Sequence, residues 1–366
     1  MNSLRTIGVS LLAVLVGLGA FSAFVAAIGQ NPIEVLGVIF EGGFASAFSW
    51  QNTLLRSAPL ILTGLAVALP AQAGMTMIGG EGTLALGGLA AAAVIVAVRG
   101  LPPAIAIPLA LLGGAAVGAA WTGLASWLKA VRGVNETISS LLLSYIGIAL
   151  FNHVVEGPLR DPSSLNKPST YPVGDAYTIG AMPGLDVHWG LAIGIVLAIV
   201  FQVIVSRSTL GFAMRVAGGN LRAARLVGLP VAALLTTAGA LGGSASGLAG
   251  AIEVLAVHTT ANASILAGYG YTGILVAFMA RQQPLALVPV AILMGGISAA
   301  GSLLQRRLEL PDATTLVLQG MLFLSILSLE ALNDQRATAW VKRVGQRRKA
   351  PVRLAKLDTP AEEIAT

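Results

Sequence analysis

Ten apolar stretches, most of them close to the length of a membrane-spanning helix, limit what this chain can fold into. About 20 apolar residues are needed to cross the hydrocarbon core of a bilayer. Charged residues make up 10% of the 366 residues, against about 25% in soluble proteins. We therefore predict an all-α, polytopic membrane protein, and we exclude a soluble enzyme, a disordered chain and a nucleic-acid-binding protein. The predicted spans are 7–29, 54–72, 76–98, 104–128, 137–155, 188–206, 230–255, 268–280, 284–303 and 313–331.

The first of these stretches has features of a signal peptide, with an arginine before its apolar run and small residues after it. Because the rest of the chain is polytopic, we expect this stretch to be retained as the first span. Residues 31–50 contain two glutamates and paired glycines. We expect them to form an interfacial segment rather than an eleventh span.

The basic residues are concentrated in alternate loops. With a cytoplasmic N-terminus, 16 of the 22 Lys and Arg residues fall on the inner side, as the positive-inside rule requires. The pair Arg306–Arg307 falls on the outer side. We predict a multi-pass protein of the bacterial plasma (inner) membrane with both termini cytoplasmic. The transmembrane domain would comprise residues 1–332, and residues 333–366 would form a basic cytoplasmic tail.

Two segments of the chain resemble each other weakly. Residues 113–150 and 295–327 both begin with Gly-Gly, continue through small residues, a basic pair and a glutamate, and end in an apolar helix. Their connecting loops would lie on opposite sides of the membrane. This pattern indicates an inverted repeat of two halves, an arrangement common in transporters.

A glycine-rich break lies upstream of each copy, at residues 79–82, which include Gly80 and Gly82, and at residues 268–273. Paired breaks of this kind point to a binding site near the middle of the membrane, because the freed backbone groups must face a polar cavity. Close helix packing through small residues is the alternative. Glu81 either lines the translocation path or caps a helix near the cytoplasmic interface.

Other polar or amphipathic side chains within the predicted spans could also line a path, whereas we expect Glu253 to be interfacial. These candidate path residues are Tyr145, Asn152, Tyr269, Tyr271 and Gln319. We assign no catalytic or metal-ligating residue, because cysteine is absent and the three histidines lie far apart. The dipeptide Gly-Lys does not occur either, so the chain has no P-loop for ATP and we expect no directly bound cofactor.

The cytoplasmic loop between the sixth and seventh spans, residues 206–229, has the pattern of a capped helix. Asn220 can cap a short helix and Gly228 can end it. We expect a basic helix with an exposed alanine face, suited to docking a partner. A plain positive-inside loop is the alternative.

This loop resembles the coupling loop in the inner-membrane permease subunits of ABC importers, in the branch that handles simple sugars and nucleosides. The matching residues are Gly211, Arg215, Gly218, Asn220, Ala223, Ala224 and Gly228. Further similarity lies at 78–82, at 135–136 with Tyr145, at 246–254 and at 268–274, so that the resemblance covers about residues 55–330. The chain departs from the branch at Met77, Thr83 and Ser144, where the branch carries amide side chains.

The resemblance implies a subunit that is not itself an enzyme and that admits a nucleoside or simple sugar. A cytoplasmic ABC ATPase would bind the 206–229 loop, including Arg222 and Arg225. A second permease subunit, identical or homologous, would complete the pore, and an extracytoplasmic solute-binding protein would deliver the solute. An ion-coupled secondary transporter and a non-transporting membrane scaffold are the alternatives.

Overall fold

A computed structural model describes residues 2–348, with side-chain positions for residues 12–329 and Leu332. The described chain is a bundle of helices whose longer connections contain isolated β-bridges. The last helix continues into the predicted tail as far as Arg348, and residues 349–366 lie outside the described part.

Six helices precede a long connection in the middle of the chain, residues 157–189. A π-helical turn at Glu41–Ala45 separates the second helix from the third. Asn31 caps the second helix, and Ser46 caps the third. The six helices are α1 (Asn2–Ala27), α2 (Pro32–Phe40), α3 (Ala47–Gln72), α4 (Gly80–Ala97), α5 (Pro103–Arg132) and α6 (Glu136–Glu156).

Between the connection and Arg348, eight helices follow. They are α7 (Gly190–Arg207), α8 (Thr209–Gly219), α9 (Leu221–Leu226), α10 (Val231–Ile252), α11 (Tyr269–Met279), α12 (Leu287–Ala299), α13 (Gly301–Leu308) and α14 (Ala313–Arg348). A π-helical turn at Glu253–His258 prolongs α10.

The helices account for all ten predicted spans. Among the residues that the structure describes, seven helical segments are long and apolar enough to cross a membrane, and three shorter apolar segments cover the remaining predicted stretches, at Leu12–Ala27, Ala263–Met279 and Ala313–Leu329. The segment 31–50 forms the nine-residue α2, the π-helical turn and the start of α3. Since a helix rises about 1.5 Å per residue, α2 is too short to be a span.

The bundle has two distinct ends. The first, which we call the loop end, carries the connection 157–189, where Gln51 at the start of α3 donates from Nε2 to the carbonyl oxygen of Asp186 at 3.0 Å. The second, the short-helix end, carries α8 and α9. There, Gly74 after α3 is in backbone contact with Gly218 at the end of α8.

The helices α3 and α10 run in opposite directions at the centre of the bundle. Helix α3 runs from the loop end to the short-helix end, whereas α10 begins just after α9. Beyond α10, the amide of Val173 in the 157–189 connection donates to Thr259 at 2.8 Å. The two central helices are therefore antiparallel.

Their neighbours repeat this inversion. Helix α10 packs against α5 and α4, and α3 packs in the corresponding way against α12 and α11. Glycines allow close backbone approach within these pairs, since a methyl group added at Gly247 would lie 2.2 Å from the carbonyl oxygen of Gly114. Helices α3–α6 thus correspond to α10–α14, with α12 and α13 together in the place of α5. This packing is the arrangement expected of the two-half inverted repeat.

Candidate functional site

The two glycine-rich breaks meet inside the bundle. Helix α4 begins at Gly80 and α11 begins at Tyr269, and their first turns face each other. A methyl group added at Gly80 would lie 3.3 Å from the Cα atom of Gly270, and one added at Gly270 would lie 2.2 Å from the amide nitrogen of Glu81. The structure therefore places the N-termini of two shortened helices in backbone contact. We call this region the junction.

Glu81 caps the opposite helix at the junction. Its side chain is 2% exposed. One carboxylate oxygen accepts from the Gly268 amide at 2.8 Å, and the other accepts from the Gly270 amide at 2.6 Å. These amides belong to the first turn of α11, whose N–H groups have no partner within their own helix. Glu81 therefore lies at the start of α4 but completes the hydrogen bonding of α11.

Two hydroxyl groups from the central helices reach the junction. Ser246 of α10 donates to the carbonyl oxygen of Gly80 at 2.8 Å. The hydroxyl of Thr63 in α3 lies 3.0 Å from the carbonyl oxygen of Tyr269 and 2.8 Å from that of Pro59 in its own helix, so its one proton is shared between them. Ser144 of α6 accepts from the Gly82 amide at 2.9 Å. Ser144 is one of the three residues at which the sequence departs from the sugar and nucleoside branch. Here it caps the first turn of α4.

Two cavities lie beside the junction on its loop-end side, with volumes of about 330 and 150 Å³. The larger lies between α3, the π-helical turn after α10 and the start of α11. The smaller lies between α3, α11, α12 and α14. Arg56, Ala267 and Tyr269 line both. Polar groups from every side complete the two linings, namely Asn52, Glu253, His258 and Ser264 in the larger cavity and Thr272, Ser298, Asp312 and Thr315 in the smaller.

Sequence reasoning did not assign three of the charged residues to these cavities. Arg56 and Asp312 were not singled out, yet both line the smaller cavity. Glu253 was expected to be interfacial, and the structure shows in addition that it is 2% exposed and lines the larger cavity. The usable signal was an ionisable residue at the edge of an apolar run, which usually faces the interior of a bundle.

The remaining candidate path residues fall into separate places. Tyr269 lines both cavities. Tyr271 and Tyr145 are 39% and 57% exposed on the outer surface of the chain, on α11 and α6. Gln319 is 1% exposed and donates to the hydroxyl of Ser298 at 2.8 Å. The structure thus groups Gly80, Glu81, Gly82, Tyr269 and Tyr271 around the junction and places Gln319 behind the smaller cavity.

The predicted coupling loop forms two helices instead of one. The hydroxyl of Ser208 caps α8 by accepting from the Gly211 amide at 3.0 Å. Arg215 donates to the carbonyl oxygen of Val205 at the end of α7. Added methyl groups at Gly211 and Gly218 would lie 2.5 Å from the carbonyl oxygens of Val205 and Gln72, respectively. Gly211, Arg215 and Gly218 therefore hold α8 against α7 and α3.

The second helix, α9, is capped as the sequence predicts. The side chain of Asn220 accepts from the amides of Arg222 and Ala223 at 2.9 and 3.1 Å. Gly228 ends the helix with φ +81°, a left-handed conformation that favours glycine. Asn220 is also the single residue between α8 and α9, so no longer linker separates the two helices.

The exposed alanine face expected on α9 is only half present. Ala224 is fully buried against the bundle, whereas Arg222, Ala223 and Arg225 are exposed. The largest exposed apolar surface comes instead from the end of the helix, where Leu226 is 88% and Val227 is 71% exposed. Burial of Ala224 beside α10 turns the next two side chains outward.

The comparisons with known proteins agree with these features. The family described as "Branched-chain amino acid transport system / permease component" matches residues 49–327. The chain belongs to this family. It is therefore the permease subunit of an ABC importer, a transport protein rather than an enzyme, and a secondary transporter is not favoured.

Individual permeases resemble the chain over most of its length. It is 31% identical to the glucose ABC transporter permease protein TsgB13 of Haloferax volcanii, over 90% of this chain and 89% of the relative. It is 30% identical to the guanosine ABC transporter permease protein NupP of Bacillus subtilis, over 79% and 84%. The nucleoside ABC transporter permease protein NupB of Lactococcus lactis is 25% identical, over 80% and 83%.

Proposed function

We propose that this permease carries an uncharged polar solute, a nucleoside or a simple sugar, into the cytoplasm by way of the cavities beside the junction. The observation that carries the proposal is the contact between two shortened helices directly beneath polar cavities. Discontinuous helices whose N-termini meet near the membrane midplane are typical of solute sites in transporters. The named substrates of the glucose, guanosine and nucleoside permeases support this class of solute.

The lining of the cavities favours an uncharged solute. Arg56 lines both cavities, with Glu253 in the larger and Asp312 in the smaller, so each cavity has one carboxylate beside the same guanidinium. Hydroxyl and amide groups from several helices supply hydrogen-bond donors and acceptors of the kind that orient a small ligand. An anionic solute such as a nucleotide would meet two carboxylates for one guanidinium.

The short-helix end would face the cytoplasm. Arg132, Arg207, Arg222 and Arg225 are exposed at that end, as the positive-inside rule requires. The basic pair Arg306–Arg307 lies at the loop end, against the positive-inside rule, but its charge is partly neutralised because Arg307 forms a bidentate ion pair with Glu41 at 2.5 and 2.8 Å. The connection 157–189 would then face outward, where a solute-binding protein delivers its ligand.

A separate cytoplasmic ATPase would supply the energy by docking on α9. Leu226 and Val227 form an exposed apolar tip, and Arg222 and Arg225 surround it with positive charge. An apolar anchor with a charged rim is the usual composition of a docking surface. A second permease subunit, identical or homologous, would provide the other half of the pore and a second docking helix.

The docking proposal is tested with Leu226→Asp. We expect this variant to weaken co-purification of the ATPase by about 10- to 100-fold, as for loss of an interface hot spot. Leu165→Asp is the matched control, because Leu165 is 81% exposed in the connection at the opposite end. Undiminished ATPase binding by Leu226→Asp would show that α9 is not the docking helix.

The solute and the energy source are tested with the complete importer. Calorimetric titration of the purified binding protein with guanosine, uridine, glucose and guanosine monophosphate should give binding for one of the three uncharged compounds. Uptake of that compound into proteoliposomes should stop when ATP is withdrawn and persist when an ionophore dissipates ion gradients. The reverse pattern would support an ion-coupled transporter, and binding of the monophosphate alone would contradict the uncharged class.

A further inference from the structure

One segment of the chain connects α8 to both ends of α11. It consists of residues 72–81, from the end of α3 to Glu81, and we call it the strap. Its first contact is with the end of α8. A methyl group added at Gly218 would lie 2.5 Å from the carbonyl oxygen of Gln72 and 2.8 Å from the amide nitrogen of Gly74. Backbone meets backbone here, so no flexible side chain separates α8 from the strap.

The second contact joins the strap to the C-terminal end of α11. The side-chain nitrogen of Gln72 donates to the carbonyl oxygen of Gln282 at 3.0 Å. Gln282 follows α11 in a left-handed conformation with φ +58°. Gln72 therefore contacts Gly218 of α8 through its backbone carbonyl and bonds the turn after α11 through its side chain.

The third contact joins the strap to the N-terminal end of α11 through the two hydrogen bonds of Glu81 at the junction. Between its ends the strap lies along α6. The amide of Ile78 donates to Ser140 at 3.1 Å, and the hydroxyl of Thr137 donates to Thr76 at 3.0 Å. These bonds keep the strap extended over the distance between α8 and the junction.

Helix α11 is short enough for such a segment to control. Its 11 residues span about 16 Å at the usual helical rise. Its first residue, Tyr269, lines both cavities, as does Ala267 just before the helix. A shift of α11 therefore changes the walls of the cavities on the loop-end side of the junction.

We propose that the strap transmits the position of α8 and α9 to α11, with Gln72 and Glu81 as the positioning residues at its two ends. This inference rests on the proposed docking of an ATPase on α9. Displacement of α9 moves α8 through the single residue Asn220, and Gly218 then moves the strap. Both ends of α11 follow, so ATPase closure at one end of the bundle alters access to the cavities near the other.

The natural absence of cysteine allows a direct test in the assembled importer. A single cysteine at Ala267, an exposed residue lining both cavities, reports on the start of α11. Its labelling rate with a sulfonated maleimide is measured with and without ATP and vanadate, which trap the ATPase closed. We expect trapping to change the rate by about two- to thirtyfold, the range of typical coupling energies.

The variants Gln72→Met and Glu81→Gln should abolish this response while the ATPase still co-purifies. Gln283→Ala should preserve it, because Gln283 is exposed and follows directly after Gln282, whose carbonyl oxygen is the one that Gln72 bonds. A cysteine at Leu165, 81% exposed on the loop end, should label at one constant rate. If either strap variant does not assemble, the other still tests the connection, and Gly74→Ala provides a third.

The outcomes separate this inference from the proposed function. If Leu226→Asp leaves the ATPase bound, docking on α9 is wrong whatever the strap does. If docking on α9 holds and both Gln72→Met and Glu81→Gln keep the full response at position 267, the strap does not transmit movement. Loss of the response in Gln283→Ala as well would also overturn the assignment, because the effect would then be a general disturbance of this end of α11.

Discussion

The two shortened helices at the junction occupy equivalent places in the repeat, yet their first turns are held differently. Both first turns have closely packed backbone, but that of α4 is capped by the neutral hydroxyl of Ser144, which accepts from Gly82. Helix α11 depends on one carboxylate, that of Glu81, for the amides of Gly268 and Gly270. The first half of the repeat thus supplies the group that holds the first turn of its counterpart in the second half. Under the proposed transmission through the strap, α11 is the helix that moves.

The backbone contacts at the junction give the strongest test of this difference. Methyl groups added at Gly82 and Gly270 would lie 2.3 Å from the carbonyl oxygen of Ser144 and 2.2 Å from the amide nitrogen of Glu81. We expect Gly82→Ala and Gly270→Ala each to lower the free energy of unfolding by about 1–3 kcal/mol or more, as for overpacked sites. Size-exclusion chromatography after heating measures this loss.

Gly320→Ala is the control, because a methyl group there meets open space and alanine favours a helix. Gly270→Ala should also abolish uptake in the protein that remains folded, since the added methyl group displaces Glu81. Folded Gly270→Ala protein with normal uptake would show that the contact between Glu81 and the first turn of α11 is not needed for transport.

The side chains that cap α11 and α4, Glu81 and Ser144, give a test with an expected effect of intermediate size. Glu81→Gln places an NH₂ group against one of two backbone N–H donors, which leaves a buried donor without an acceptor at a cost of about 1–3 kcal/mol. Ser144→Ala removes one neutral hydrogen bond, worth about 0.5–1.5 kcal/mol. We expect initial uptake to fall about 10- to 100-fold in Glu81→Gln and about two- to tenfold in Ser144→Ala.

Immunoblots of membrane fractions show whether both proteins are present at wild-type level. Equal losses of uptake in the two variants would mean that transport depends equally on the caps of α4 and α11, which would contradict the difference described between these two helices.

The spans and the caps of α9 could be predicted from sequence because both depend on local chemistry. Apolar runs of about 20 residues mark helices that cross a bilayer, and the side chain of Asn220 bonds amides only two and three residues away. The inverted repeat was also visible, since its copies share a pattern of small and basic residues.

The cavity residues could not be found in the same way, because they make spans look shorter than they are. The apolar run at 54–72 underestimates α3, which begins at Ala47. The polar residue Asn52 near its start lines a cavity, so a reading based on hydrophobicity leaves it outside the span, and the same reading gives no sign that Arg56, inside the predicted run, lines that cavity too. Glu253 at the end of α10 was likewise not assigned to a cavity.

The partner of Glu81 and the orientation of α9 depend on contacts between distant segments. Glu81 reaches amides 187 and 189 residues away, which no local pattern specifies. In a six-residue helix, the position of the neighbouring α10 decides whether Ala224 or its neighbours face the bundle. Sequence alone therefore identified the helix and its ends but not its exposed side.

The hydroxyl pair that supports the junction gives the smallest and most symmetrical test. Thr63→Val and Ser246→Ala each remove a hydroxyl that reaches a carbonyl oxygen of the junction, that of Tyr269 or Gly80, and Thr63→Val also removes its bond to Pro59 within α3. We expect each change to lower stability by about 0.5–1.5 kcal/mol, with similar small shifts in the midpoint of thermal unfolding. Thr236→Val is the control, since the exposed hydroxyl of Thr236 bonds its own helix at Ala232.

These two positions share one role in the two halves of the repeat, so their effects on stability should match while their effects on uptake differ. Thr63 holds the start of α11, the helix proposed to move, and its loss should change uptake more than the loss of Ser246 at α4. If the two variants lose equal stability and Thr63→Val changes uptake more, then α4 and α11 differ in how they move during transport and not in how they contribute to folding. A larger change in uptake for Ser246→Ala would instead make α4 the moving helix and reverse the comparison.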